Sequence, residues 1–199
     1  MNYRALKQDE HIYFAGLHMD AFQSFFLSTL GEKFLDAYYK AVLKSKETIA
    51  VCAVDDNSQL QGFATGCTYS KGYHKRLILR NLTAFFYIAL IILFTKPKAL
   101  IRILMNLDKI ASNNDDGNYA ELISIGVCQS SKGNGAGKDL VKTFEDEAKR
   151  RGCNKISLTT DYINNNDVIS FYTKCGYKVF YEFTTYPKRK MYKFIKHLE

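Results

Sequence analysis

The chain has 199 residues, of which 47% are hydrophobic and 24% charged, with a formal net charge of +8 at pH 7. That length suits a single domain over residues 1–199 with a sizeable core, and the proportions exclude a disordered or fibrous chain. Five scattered cysteines without a CxxC pair, and four histidines without ligand spacing, argue against a disulfide framework and against a metal site. Asp9, Glu10 and His11 interrupt any basic-then-apolar leader, so the expected setting is the reducing cytoplasm.

In chain order, residues 3–7 read as a first strand and residues 11–31 as a helical region. Residues 32–44 form a second helix, with Phe34, Leu35, Tyr38, Tyr39, Val42 and Leu43 at helical spacing. Residues 48–54 and 59–69 read as a hairpin around the turn Asp55-Asp56-Asn57-Ser58. Residues 73–110 are an unusual element. Residues 82–94 are almost unbroken apolar sequence, too short to span a bilayer, which needs ~20 residues. Lys96-Pro97-Lys98 breaks the run, and Leu100, Ile101, Ile103, Leu104 and Leu107 form a second helix with Arg102 and Lys109 on its polar side. Residues 61–110 hold eight basic residues against one acidic, yet the segment is apolar rather than a polar basic face, so nucleic acid is not an expected partner. Two readings remain open. One is a helical hairpin packed on the domain, serving the acceptor pocket or a homodimer contact. The other is a basic, apolar element on an anionic membrane surface.

Residues 118–141 are the most informative stretch. Leu122, Ile123, Ile125 and Val127 make a buried strand, Gly133, Gly135 and Gly137 alternate in a loop, and Leu140, Val141 and Phe144 begin a helical face. A helix N-terminus offers unpaired N–H groups and the positive end of a dipole, and glycines let the main chain approach an anion closely. The expected ligand is therefore a pyrophosphate. Asp139 after Gly137-Lys138 removes the hydroxyl that a P-loop requires, and GxGxG is not the spacing of a dinucleotide fingerprint. The segment resembles motif A of the GCN5-related N-acetyltransferases (GNAT), with Lys132 where that motif usually has Arg or Gln. Asn165, Tyr172, Gly176 and Tyr177 fall on the positions of the family's motif B. The two motifs cover less than half of the chain.

The resemblance implies an α/β (α+β) fold: a mixed central sheet of about seven strands flanked by helices, with the helical insertion between the third and fourth strands. It implies acetyl-CoA as co-substrate, held by Lys132, Gly133, Asn134, Gly135, Ala136, Gly137 and Lys138. Pantetheine would pair along Ile125, Gly126 and Val127 and reach Asn165, with an N–H near Val127 facing the thioester carbonyl. Acetyl transfer needs a base for the amine, a donor for the oxyanion and an acid for the thiolate. Glu121 is the base candidate, by its likeness to a glutamate of the histone acetyltransferase branch, with a water chain as the alternative. Burial among Leu122, Ile123 and aromatics is expected to favour its protonated form. Tyr172 is the acid candidate. Asn165 is a candidate helix cap, in competition with Asn166 and Asp167. Cys128 has no motif partner and is not expected to act as a nucleophile.

The expected acceptor is the primary amine of a small molecule, with an amino sugar as one candidate. Its wall would come from His18, Asp20, Phe22, Phe25 and Phe26, from residues 69–74 and from residues 181–186. A non-catalytic acyl-CoA-binding module and a membrane-peripheral acyltransferase on a lipid-linked acceptor are the alternatives.

Overall fold

The computed structural model describes residues 1–23, 25–106 and 115–199. Seven strands form one sheet: β1 (Asn2–Ala5), β2 (Thr48–Val54), β3 (Leu60–Cys67), β4 (Ala120–Val127), β5 (Lys155–Asp161), β6 (Lys178–Thr185) and β7 (Arg189–His197). Their order across the sheet is β1-β2-β3-β4-β5-β7-β6, and only β4 and β5 run parallel. Seven α-helices flank it among the described residues: α1 (His11–Ala21), α2 (Glu32–Lys44), α3 (Tyr73–Arg80), α4 (Leu82–Thr95), α5 (Pro97–Met105), α6 (Ala136–Arg150) and α7 (Asn166–Lys174). The mixed, helix-flanked sheet with its helical insertion is the expected architecture.

Two apolar clusters occupy the two faces of the sheet. Phe14, Leu35, Tyr39 and Phe63 anchor the one formed with α1, α2, α3 and α4. Leu140, Phe144, Leu158 and Phe194 anchor the one formed with α6 and α7. The amphipathic spacing of α2 and α6 explains this placement, since each lays one apolar stripe on the sheet.

Two local expectations differ from the structure. The helical region over 11–31 is not continuous: α1 ends at Ala21, Phe22 leaves helical geometry, and a short 3-10 turn (Ser28–Leu30) precedes Gly31 at φ +95°. Phe22, Phe26 and Leu27 instead pack onto the α1–α2 cluster. The insertion begins with a third helix, α3, which buries Tyr73 and Leu77 and is bent by 100° from α4. Its short, basic sequence hid that stripe. The expected positions of Leu107 and Lys109 on the second helix lie outside the described residues.

Candidate active site

β4 is the element from which the site is built. It pairs with β5 only at Ala120↔Ile156, Glu121↔Ser157 and Leu122↔Leu158, although both strands continue beyond. On its other edge β4 stays paired with β3 to Gly62↔Val127, with Ile123 as an extra residue between Thr65↔Ser124 and Gly66↔Leu122. Such a bulge bends the strand that carries it. The Cys128 N–H donates to the Gln61 carbonyl at 2.8 Å, so strand alternation turns the Gly126 backbone toward β3. Ile125 and Val127 therefore present their backbone groups to the gap between β4 and β5.

Gly126 serves the opposite face. A Cβ there would lie 3.0 Å from Ala21 Cβ, 3.1 Å from Phe22 and 3.2 Å from Phe63. Gly66, next to the bulge, is tighter still: its Cβ would stand 1.9 Å from the Glu121 carbonyl oxygen. Any larger residue at Gly66 would push β4 away from β3 just where Glu121 is held.

The glycine loop follows directly. A 3-10 turn (Gln129–Ser131) leads to Lys132, and Gly133 and Gly135 take φ +82° and +83°. Those values belong to the left-handed region that favours glycine. Gly135 is the N-cap of α6, and nothing lies within 4 Å of the position of its missing Cβ. The N–H groups of Lys138 and Asp139 bond back to the Gly135 carbonyl. Among the described residues, the five N–H groups from Gly133 to Gly137 have no acceptor. Lys132, Gly133, Asn134, Gly135 and Lys138 are exposed, whereas Ala136 is buried and Gly137 half-buried beneath the Phe171 ring. The loop is thus an open row of donors at a helix N-terminus with two lysines beside it, a geometry suited to an anion.

Motif B lies against the same side. Tyr172, on α7, is buried, and its ring contacts Phe171, Tyr177 and Phe194 within the cluster to which Ile125 and Val127 also belong. Burial pushes its phenol well above the ordinary value. Asn165 occupies the N-cap position of α7, but its side chain does not cap the helix. Its amide instead donates to Thr160 Oγ1 at 2.6 Å and to the Asp161 carbonyl at 3.0 Å, which ties α7 to the end of β5.

At the other end of β4 is a buried polar cluster. Glu121 Oε1 accepts from Lys193 Nζ at 3.0 Å and Oε2 accepts from Ser70 Oγ at 2.6 Å. Lys193 has no exposed surface at all. Burial of Glu121 is as expected, and its carboxylate is paired there with the Lys193 ammonium. The Lys193 ammonium also lies 4.9 Å from the Tyr119 ring centre. Tyr119 and Tyr181 both donate to Asp115 Oδ2, at 2.7 and 2.5 Å. Burial first, then the hydrogen bond to Asp115 and the charges of Asp115 and Glu121, hold the Tyr119 phenol well above its usual range. Sequence reading did not single out Lys193, Ser70 or Asp115. One signal was present for Lys193: it shares strand parity with Met191 and is buried like it.

On the α1 side, His18 is 3% exposed, with Nδ1 2.6 Å from the Tyr39 hydroxyl. Its Nε2 is buried and has no partner among the described residues. Burial holds the imidazole down at about 4, so it is neutral near pH 7. Phe63 stacks on it and Phe22 lies tilted against it, whereas Asp20 is exposed. The insertion joins this region through α5. Asn106 and the Tyr186 backbone exchange two hydrogen bonds at 3.1 Å, and the Arg102 guanidinium lies 4.2 Å from the Phe26 ring centre. All five cysteines are free thiols. Burial raises Cys128, which makes it a poor nucleophile. No group of metal-ligating residues occurs among the described residues.

A profile described as the acetyltransferase (GNAT) family matches residues 16–177. A search of curated protein sequences gave no match. Many solved structures share the fold. A crystal structure of an acetyltransferase is 16% identical, with TM-score 0.66 and 100% of both chains covered. An aminoglycoside 6'-N-acetyltransferase complexed with coenzyme A is 17% identical, with TM-score 0.60, over 99% of this chain and 97% of that one. The ribosomal-protein-S18-alanine N-acetyltransferase from Escherichia coli is 12% identical, with TM-score 0.62, over 100% of this chain and 94% of that one.

Proposed function

The chain belongs to the acetyltransferase (GNAT) family, and from that premise we propose that it transfers the acetyl group of acetyl-CoA to the primary amine of a small molecule by direct attack. The observation that carries this reading is the conjunction on one strand of two unsatisfied backbone sets. β4 parts from β5 after Leu122↔Leu158, and the loop that follows β4 presents the free N–H groups of Gly133 to Gly137. The gap suits a pantetheine arm hydrogen-bonded to Ile125 and Val127. The loop suits the pyrophosphate, with Lys132 and Lys138 adding charge and Asn165 bordering the arm's path.

In this reading the Val127 N–H stabilises the tetrahedral oxyanion, and Tyr172 gives its proton to the departing thiolate. Burial raises that phenol and weakens it as an acid in the free chain, so its proton leaves only toward the negative charge that builds on sulfur. Glu121 stands one residue before the last β4–β5 pair, at the closed end of the gap. Lys193 and Ser70 hold its carboxylate in place, and in this reading it accepts the amine proton directly or through a water chain. The acceptor class we assign is an amino sugar. Phe22, Phe25, Tyr69 and Tyr181 supply aromatic faces and Asp20 an exposed carboxylate. Solved neighbours of similar fold include aminoglycoside acetyltransferases.

The test is a screen for free CoA release from acetyl-CoA over amino sugars, their nucleotide forms, aminoglycosides and polyamines, with Gly135→Val as control. A β-branched side chain at φ +83° is disfavoured and would project into the anion's approach, while the folded chain leaves it room. The variant should stay folded and lose acetyl-CoA affinity by about 100-fold, about 2.7 kcal/mol. Acetyl-CoA binding without CoA release for any amine would make the chain a non-catalytic acyl-CoA-binding module.

A further inference from the structure

We propose that the α4–α5 hairpin is a docking surface for an anionic lipid bilayer, lying in the interface rather than crossing it. α4 has no charged residue from Leu82 to Thr95, yet only Ile88 and Ile92 are buried. Around the rest of the helix Leu82, Phe86, Tyr87, Leu90, Leu93 and Phe94 face outward, with Phe86 66%, Tyr87 67% and Phe94 83% exposed. Ile101, Leu104 and Met105 on α5 are likewise exposed. A surface helix of a water-soluble protein buries one apolar stripe and turns a polar face to solvent, whereas a helix apolar all round is normally covered. α4 meets neither condition. Its 14 residues reach about 21 Å, short of the ~30 Å hydrocarbon core. No single helix among the described residues is long and apolar enough to cross a membrane.

Charge selects the lipid. From residue 57 to residue 107 the sequence has no Asp or Glu, while Lys71, Lys75, Arg76, Arg80, Lys96, Lys98 and Arg102 are basic. Glu47 pairs with both Arg76 and Arg80 and offsets one of their two charges. Lys75 and Lys98 are exposed and form no ion pair among the described residues; Lys98 lies on α5 just past the end of α4, and Lys75 on α3, which precedes it. Cations beside an apolar, aromatic-rich face match the headgroup layer of an anionic leaflet. The same arrangement disfavours a second copy, because a symmetric pair would bring two surfaces of net positive charge together.

The test is co-sedimentation of the full chain with phosphatidylcholine vesicles, with and without phosphatidylglycerol, at low and high salt. The expected result is binding to the phosphatidylglycerol vesicles that weakens at high salt. The double variant Phe86→Gln/Phe94→Gln should lose vesicle binding at least tenfold. Both side chains are exposed, so folding and acetyl-CoA affinity should be unchanged. Lys75→Gln/Lys98→Gln should reduce the preference for phosphatidylglycerol. Absence of sedimentation with both vesicle types would overturn the proposal, as would equal binding to neutral vesicles. A dimer in sedimentation velocity that the double phenylalanine variant dissolves, without vesicle binding, would overturn it in favour of a contact between copies. Vesicle binding needs no turnover, so this outcome is independent of the acceptor screen.

Discussion

The glycine loop and the Lys193 cluster lie at opposite ends of β4 and are made from different materials. The loop is backbone, mostly exposed, and contributed by seven consecutive residues from Lys132 to Lys138. The cluster is side chain, buried, and drawn from Ser70, Asp115, Tyr119, Glu121, Tyr181 and Lys193, which the sheet brings together from four parts of the sequence. A backbone site tolerates exchange of most of its side chains provided that glycine keeps the required φ. A side-chain site with a buried charge pair tolerates almost none. The two ends of the strand should therefore respond to mutation in opposite ways, one in ligand affinity and the other in stability.

The largest expected effect is at the buried pair. Lys193→Met should destabilise the fold by about 3–5 kcal/mol, because the Glu121 carboxylate is left buried opposite a thioether. Lys193→Met/Glu121→Gln should recover most of that loss in urea denaturation. Equal stability of the single variant and the parent would erase the contrast between the two ends. Acetyl-CoA affinity should hold in the double variant, and its pH–rate profile then reads whether Glu121 accepts the amine proton.

His18 gives a pH-dependent version of the same contrast. Its folded value of about 4 lies below the ordinary value of 6.5, so the unfolded chain binds more protons in between. The stability it contributes is full above about pH 6.5 and is lost as pH falls toward about 4. The loss amounts to about 3 kcal/mol. His18→Gln should flatten the stability profile across that window by the same amount. An unchanged slope would show that His18 is not buried as neutral imidazole.

Tyr172→Phe should have a smaller and purely kinetic effect. Removing the hydroxyl leaves the ring contacts with Tyr177 and Phe194, so stability should change little. kcat should fall by about 100-fold with acetyl-CoA affinity unchanged. Weakened affinity with normal kcat would make the hydroxyl a contact for the co-substrate instead of an acid.

The contrast also explains what was legible in the sequence. Strand, glycine loop and helix are neighbours in the chain, and Gly133, Gly135 and Gly137 declare a backbone need that needs no partner to interpret. The order of elements was readable for the same reason, since helical and strand periodicity are local. Lys193 was not, because its meaning depends on Glu121, 72 residues away, and on a register that only the folded sheet supplies. Asn165 marked its helix start correctly, but its amide chose Thr160 and Asp161 on β5 over the helix N–H groups. α1 was read too long because Phe22, Phe25 and Phe26 keep an apolar pattern past Ala21 while the chain turns.

Amide hydrogen exchange with and without acetyl-CoA tests the central claim most directly, since that claim concerns backbone N–H groups. The account predicts slowed exchange at Gly133 to Gly137 and at Ile125 and Val127, with the β1–β2 pairing and α2 unaffected. Saturating acetyl-CoA that leaves those seven amides unchanged, or protects a different surface, would contradict the assignment of the β4–β5 gap and the glycine loop as the co-substrate site.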